Sequence, residues 1–231
     1  MLTAPQFLPD RLAAVRARIE SAARSAGREP DSVRLLAVSK QQPASSVRAL
    51  AGAGQQEFGE SYAQEGLAKI TALADLPLTW HFIGRLQANK TREVAGRFAW
   101  LHTLDRERIA VRLNDQRPHH APPLQVLLQV RLADEPGRAG VAPADLPRLA
   151  GIVTGLPRLR LRGLMCMPPQ TDDEETQRGF FRRLRTLRDE LALRGHALDT
   201  LSMGMSGDLE SAVAEGATIV RIGTALFGPR T

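Results

Sequence analysis

The chain has 231 residues, 43% hydrophobic and 24% charged, with aromatics at only 4%, the balance of an ordinary globular protein able to bury a sizeable core. No apolar run approaches the roughly 20 residues of a membrane span, the first residues lack the charged and apolar regions of a signal peptide, and the single Cys166 allows no internal disulfide; a cytoplasmic protein is expected, with no membrane partner. The net charge of +6 raises nucleic acid as a partner, but the arginines are spread over helical faces such as "RLAAVRAR" and "FFRRLRTLRDE", without zinc-finger spacing or a ribonucleoprotein-like aromatic motif, so no specific nucleic-acid binding is expected.

In chain order, a helix over residues 8–27 leads into an apolar strand over 33–39 that runs directly into Lys40 in "LLAVSKQQP". A helix over 43–53 follows, with Pro43 in its first turn, where a missing N–H costs nothing. The pattern then repeats: strand 57–61 and helix 62–74, strand 79–84 and helix 87–96, strand 100–104 and helix 106–116. After the Pro-rich loop "RPHHAPP" come strand 125–132, helix 143–155, strand 159–167 and helix 172–194. In that last helix Phe180, Phe181, Leu184, Leu187 and Leu191 fall at three- and four-residue spacing and predict one apolar face. Strand 200–205, helix 206–215 and strand 218–223 complete the series, and Gly27, Gly195 and Gly216 stand where helices would end.

Eight strands alternating with helices imply parallel pairing through right-handed crossovers. The fold class expected is α/β, a single closed (β/α)8 barrel of the TIM type with an extra N-terminal helix, forming one domain over residues 1–231. An open doubly wound sheet is the rival arrangement.

In such a barrel the chemistry gathers at the C-terminal ends of the strands, with phosphate often held after the last two. Lys40 faces that mouth. It is one of only three lysines, with Lys69 and Lys90, among 31 basic residues, so an amine rather than mere positive charge is indicated there. "SMGMSGDLESA" and "IVRIGTALFG" place Ser206, Gly223 and Thr224 at two adjacent turns with open backbone and hydroxyl groups. Arg221, between Val220 and Ile222, points into the barrel if its neighbours point outward. Each residue also has a plainer reading: Ser206 as a helix cap, Gly223 as relief of crowding, Lys40 as a solvated charge, Arg221 as the partner of a buried acid such as Glu60. Taken together they suggest pyridoxal 5′-phosphate, with an amine for the aldehyde, a cup for the phosphate and a donor for the ring nitrogen.

The segments "LLAVSKQQP", "FGESYAQE", "WHFIGRLQANK", "HTLDR", "LRGLMCMPP" and "LSMGMSGDLESAVAEGATIVRIGTALFG" together resemble the pyridoxal phosphate homeostasis proteins over essentially the whole chain. The resemblance implies a barrel similar to the N-terminal domain of alanine racemase, with the cofactor held as an imine on Lys40. It implies contacts from Arg221 to the ring nitrogen, from Ser206, Gly223 and Thr224 to the phosphate, and from Met165 to the ring face, with Ser61 and His81 nearby. Three positions depart from the family pattern: Ser61 replaces an asparagine, Arg85 a proline, and Arg138 a lysine in the loop "EPGRAG". The function implied is intracellular homeostasis of the cofactor, holding it without substantial catalysis, as a monomer, with apo-enzymes as recipients. The rival is a pyridoxal-phosphate enzyme such as an amino-acid racemase; a phosphate-sugar Schiff-base lyase is a third reading. A racemase would need a second acid or base. The lone Tyr62 is expected to pack instead, His81 to be held by a neighbour, and no C-terminal β-domain is expected beyond the eighth strand.

Overall fold

The computed structural model describes residues 7–133 and 137–228. Eight short strands, β1 (Arg34–Val38), β2 (Glu57–Glu60), β3 (Thr79–Phe82), β4 (Trp100–Leu104), β5 (Leu124–Gln129), β6 (Leu159–Met165), β7 (Thr200–Ser202) and β8 (Ile219–Ile222), pair in chain order into a closed parallel barrel. β8 closes on β1 in the register Ala37 opposite Ile222. The expected barrel is therefore the one found, and the open sheet is excluded.

Helices α1 (Leu8–Ser25), α2 (Ala44–Gly52), α3 (Ala63–Ala72), α4 (Thr91–Arg97), α5 (Glu107–Gln116), α6 (Leu146–Thr154), α7 (Glu174–Leu193), α8 (Leu209–Ala214) and α9 (Thr224–Phe227) accompany it. In α7, Phe181, Leu184, Leu187 and Leu191 form the buried face, and Asp173 caps the first turn by accepting from the Thr176 amide at 2.9 Å. α1 buries Leu8, Leu12, Val15 and Ile19, and Arg18 reaches across to Glu210 of α8 at 2.5 Å. Short 3₁₀ turns at Pro30–Ser32, Ala88–Lys90 and Pro143–Asp145, and the four-residue α9, are too brief to leave a periodic signal.

Several strands end earlier than their apolar runs predict: β7 stops at Ser202 although Met203 is fully buried, and β5 stops at Gln129 although Val130 is buried. Apolarity reports burial, and burial continues into the turns that leave the barrel. The helix expected from residue 206 begins only at Leu209, with Asp208 at the cap position, so Ser206 is not its cap. Most of the apolar core lies between strands and helices. Inside the barrel a small set, Trp100, Leu127 and Met165, is joined by polar groups. The Arg34 and Arg162 guanidiniums lie over the Trp100 indole, 5.1 and 5.2 Å from its ring centre.

Candidate functional site

β1 delivers the chain into a tight turn. Ser39 is fully buried and Lys40 half-buried, and Gln41 holds a left-handed φ of 61°, unusual for a residue with a side chain. The turn is clamped from α3. The Ser39 carbonyl accepts from the Gln42 amide at 3.0 Å and from Lys69 Nζ at 2.6 Å, while the Gln41 amide donates to Glu65 Oε1 at 2.5 Å. Lys69 Nζ also donates to Glu65 Oε1 at 2.7 Å and to Glu60 Oε1 at 2.8 Å, and the Ser39 hydroxyl donates to that same Glu60 oxygen at 2.6 Å. Burial pushes the Glu60 carboxyl above the usual range, opposed by the charge and hydrogen bond of Lys69 and by Ser39. All three Lys69 protons are thus committed, and Lys69 is only 5% exposed. Lys40 borders a mouth cavity of about 580 Å³, shared with Ser61, Gly84, Arg85, Gln129 and Met167. Lys90 lines the same cavity and pairs with Glu93 at 3.1 Å. Sequence reading missed this clamp, although Glu65 and Lys69 at i and i+4 on one helix were a visible sign.

Gly84 permits the mouth to close up around this turn. A Cβ there would stand 1.9 Å from the Ser61 carbonyl oxygen, so only glycine lets β3 leave the barrel so close to the end of β2. Ser61 itself is half-buried on the cavity wall. Tyr62, expected to pack, is 56% exposed and lines the cavity, because the turn before α3 turns its ring outward from the core.

Arg221 points inward and is 5% exposed, as the alternation along β8 predicts. Its partner is not Glu60: Nη1 donates to Ser202 Oγ and Nη2 to the Cys166 carbonyl, both at 2.9 Å. Burial lowers the guanidinium pKa from its ordinary value, opposed by Cys166 and by the charge of Asp208. Burial likewise pushes the Cys166 thiol up to about 12, which makes it unreactive.

The two last βα turns meet. The Ala225 amide donates to Ser206 Oγ at 3.4 Å, joining the loop after β7 to the start of α9. Among the described residues, no protein group accepts from the backbone amides of Ser206, Gly207 or Thr224. Gly223 has a φ of −115°, open to any residue, and a Cβ added there would meet Val38 at an ordinary 3.5 Å. Neither crowding nor backbone angle demands glycine at this place. An uncovered backbone with free donors at two adjoining turns suits an anion.

Met165 and His81 lie deeper. Met165 is fully buried with Trp100 and Leu127, and His81 is fully buried, 2.9 Å from His102 and stacked on Trp100 with ring centres 5.3 Å apart. Neither borders the mouth cavity.

A family model described as the alanine racemase N-terminal domain matches residues 11–231. The pyridoxal phosphate homeostasis protein of Pseudomonas aeruginosa is 56% identical over 223 residues, 96% of each chain. The protein of the same name from Escherichia coli K12 is 50% identical over 222 residues, 95% of each. Among solved structures, PipY of Synechococcus elongatus, with PLP bound, matches with a TM-score of 0.86 at 39% identity, covering 96% of this chain and all of PipY. Alanine racemase of Corynebacterium glutamicum shares the fold, with a TM-score of 0.68 at 16% identity over 93% of this chain and 60% of the racemase.

Proposed function

Because the chain belongs to the pyridoxal phosphate homeostasis proteins, within the family of the alanine racemase N-terminal domain, we propose that it binds pyridoxal 5′-phosphate at the C-terminal mouth of its barrel and serves to keep that cofactor in balance. The observation that carries the reading is the place of Lys40, two residues beyond β1 on the wall of the mouth cavity.

The cofactor, when bound, supplies an aldehyde that an amine can hold covalently and a ring that can accept electrons. Lys40 Nζ is the amine this chain offers. The amides of Ser206, Gly207 and Thr224 and the Ser206 and Thr224 hydroxyls would hold the phosphate, and Arg221 would face the ring nitrogen. A guanidinium in that place gives up no proton. Arg221 would therefore leave the ring nitrogen of a bound cofactor unprotonated and weaken the ring as an electron sink, which would suit holding the cofactor rather than using it. Apo-enzymes are the proposed recipients, and the chain is proposed to act in the cytoplasm as a single-domain monomer, to be checked by light scattering.

One observation favours the second reading, a racemase: Tyr62 presents an exposed phenol to the cavity that Lys40 borders. The test incubates the cofactor-loaded protein with L- and D-amino acids in deuterated water and follows the α-proton by NMR. Carriage predicts no exchange above that of free cofactor. Sustained exchange that Tyr62→Phe abolishes would establish the racemase instead.

A further inference from the structure

A single file of polar side chains crosses the barrel interior and touches five strands. Arg221 on β8 donates from Nη1 to Ser202 Oγ on β7 at 2.9 Å. Ser202 Oγ lies 2.9 Å from His102 Nδ1 on β4, and His102 Nε2 lies 2.9 Å from His81 Nδ1 on β3. His81 Nε2 then faces Glu57 Oε2 of β2 at 3.8 Å, and the other Glu57 oxygen accepts from Arg34 at 3.0 Å. Ser202, His102 and His81 are each 0% exposed. His81 Nε2 and Glu57 Oε2 are both buried without a hydrogen-bond partner.

Donor accounting gives the file a direction. A guanidinium only donates, so Ser202 accepts from Arg221 and has its own proton to give. Given to His102 Nδ1, that proton leaves His102 neutral with its hydrogen on Nε2, which donates to His81 Nδ1. His81 then carries its hydrogen on Nε2, aimed at the Glu57 carboxylate. The opposite polarity would strand the Ser202 proton and set a bare nitrogen against the carboxylate. Burial holds both imidazoles well below their ordinary pKa, in keeping with neutral rings.

We propose that Ser202, His102 and His81 are positioning residues for Arg221, an aligned file of hydrogen bonds that lends the buried guanidinium the support of the Glu57 carboxylate from across the barrel. Aligned bonds polarise one another, and each positive end points from Arg221 towards Glu57. The arginine keeps its full charge and a fixed orientation, with three of its five donors left over from Ser202 and Cys166. The role at the cofactor rests on the function proposed above; the file itself does not.

The experiment therefore has two arms. In the first, ¹⁵N NMR of the cofactor-free protein reads the histidine tautomers and the Arg221 guanidinium signals. Wild type is expected to show both histidines neutral and protonated at Nε2 from pH 5.5 to 8, with separate Arg221 Nη signals. His81→Phe, which retains a ring against Trp100, should leave His102 a mixture of tautomers, and Ser202→Ala should average the Arg221 signals. A proton on His102 Nδ1 in wild type, or unchanged Arg221 signals in folded Ser202→Ala, would overturn the proposal. In the second arm pyridoxal 5′-phosphate is loaded and its release followed by absorbance. Ser202→Ala should release it about tenfold faster, with a shifted absorption maximum, as expected for a lost charge-assisted bond. Release and spectrum equal to wild type in both variants would also overturn it. Failure of wild type to bind the cofactor at all would instead refute the proposed function, and the first arm would still decide the file.

Discussion

Two lysines of the same chemistry stand in different surroundings: Lys69 is buried, and Lys40 borders the mouth cavity, where it is proposed to hold the cofactor. Lys69 and Glu60 form a buried pair, and breaking such a pair from one side is costly because the other charge is left without water. Lys69→Ala should therefore lose about 3 kcal/mol of stability in urea titrations at pH 8. The gap to wild type should narrow at pH 5. Without Lys69, the Glu60 carboxyl, already raised by burial, rises further. A group raised in the folded state stabilises below its unfolded pKa and loses that contribution as pH climbs through the folded value. Lys40→Ala should fold as wild type does but lose the borohydride-stable adduct with pyridoxal phosphate, read by intact mass. An adduct retained at Lys69 or Lys90 would contradict the assignment. The position of Lys40 at the end of an apolar strand was legible in "LLAVSK". Its clamp was not, because the acids that build it come from the next strand and helix.

At the level of strands and turns, two glycines separate structure from binding. Gly84→Ala would drive a methyl into the Ser61 carbonyl, with no flexible atom to yield, and should destabilise by about 3 kcal/mol in chemical denaturation. Gly223→Ala meets only ordinary contacts, so stability should stay within about 0.5 kcal/mol, while retention of pyridoxal phosphate falls. Ser206→Ala combined with Thr224→Val should likewise hasten release without unfolding the chain. Equal release rates in these variants and wild type would remove the two last turns from the phosphate site. Glycines and hydroxyls at the ends of β7 and β8 could be read from the sequence. That Ser206 reaches the start of α9 instead of capping α8 could not, since an N-cap motif fits either use locally.

The whole barrel carries a pH dependence in its interior. His81 and His102 are buried, close to Arg34, Arg221 and each other, with Glu57 the carboxylate within reach, and both are held well below their ordinary pKa. A depressed group stabilises above its unfolded value, about 6.5, and that contribution is lost as pH falls below it. Wild type should lose up to about 2.7 kcal/mol per pH unit below pH 6, two protons at about 1.36 each, and His81→Phe should flatten that slope. Urea midpoints from pH 7.5 to 5 measure it; equal slopes in the two proteins would disprove it. By itself the sequence determined the order of strands and helices, the parallel barrel and the strand ends where Lys40 and the final glycine turns stand. These follow from the period of apolar residues, a local property. Only the tertiary structure decided which polar groups meet inside: Lys69 with Glu60, Arg221 with Ser202, His81 with His102. Closing the barrel brings residues from separate strands face to face, and no pattern along the chain records the partners met across it.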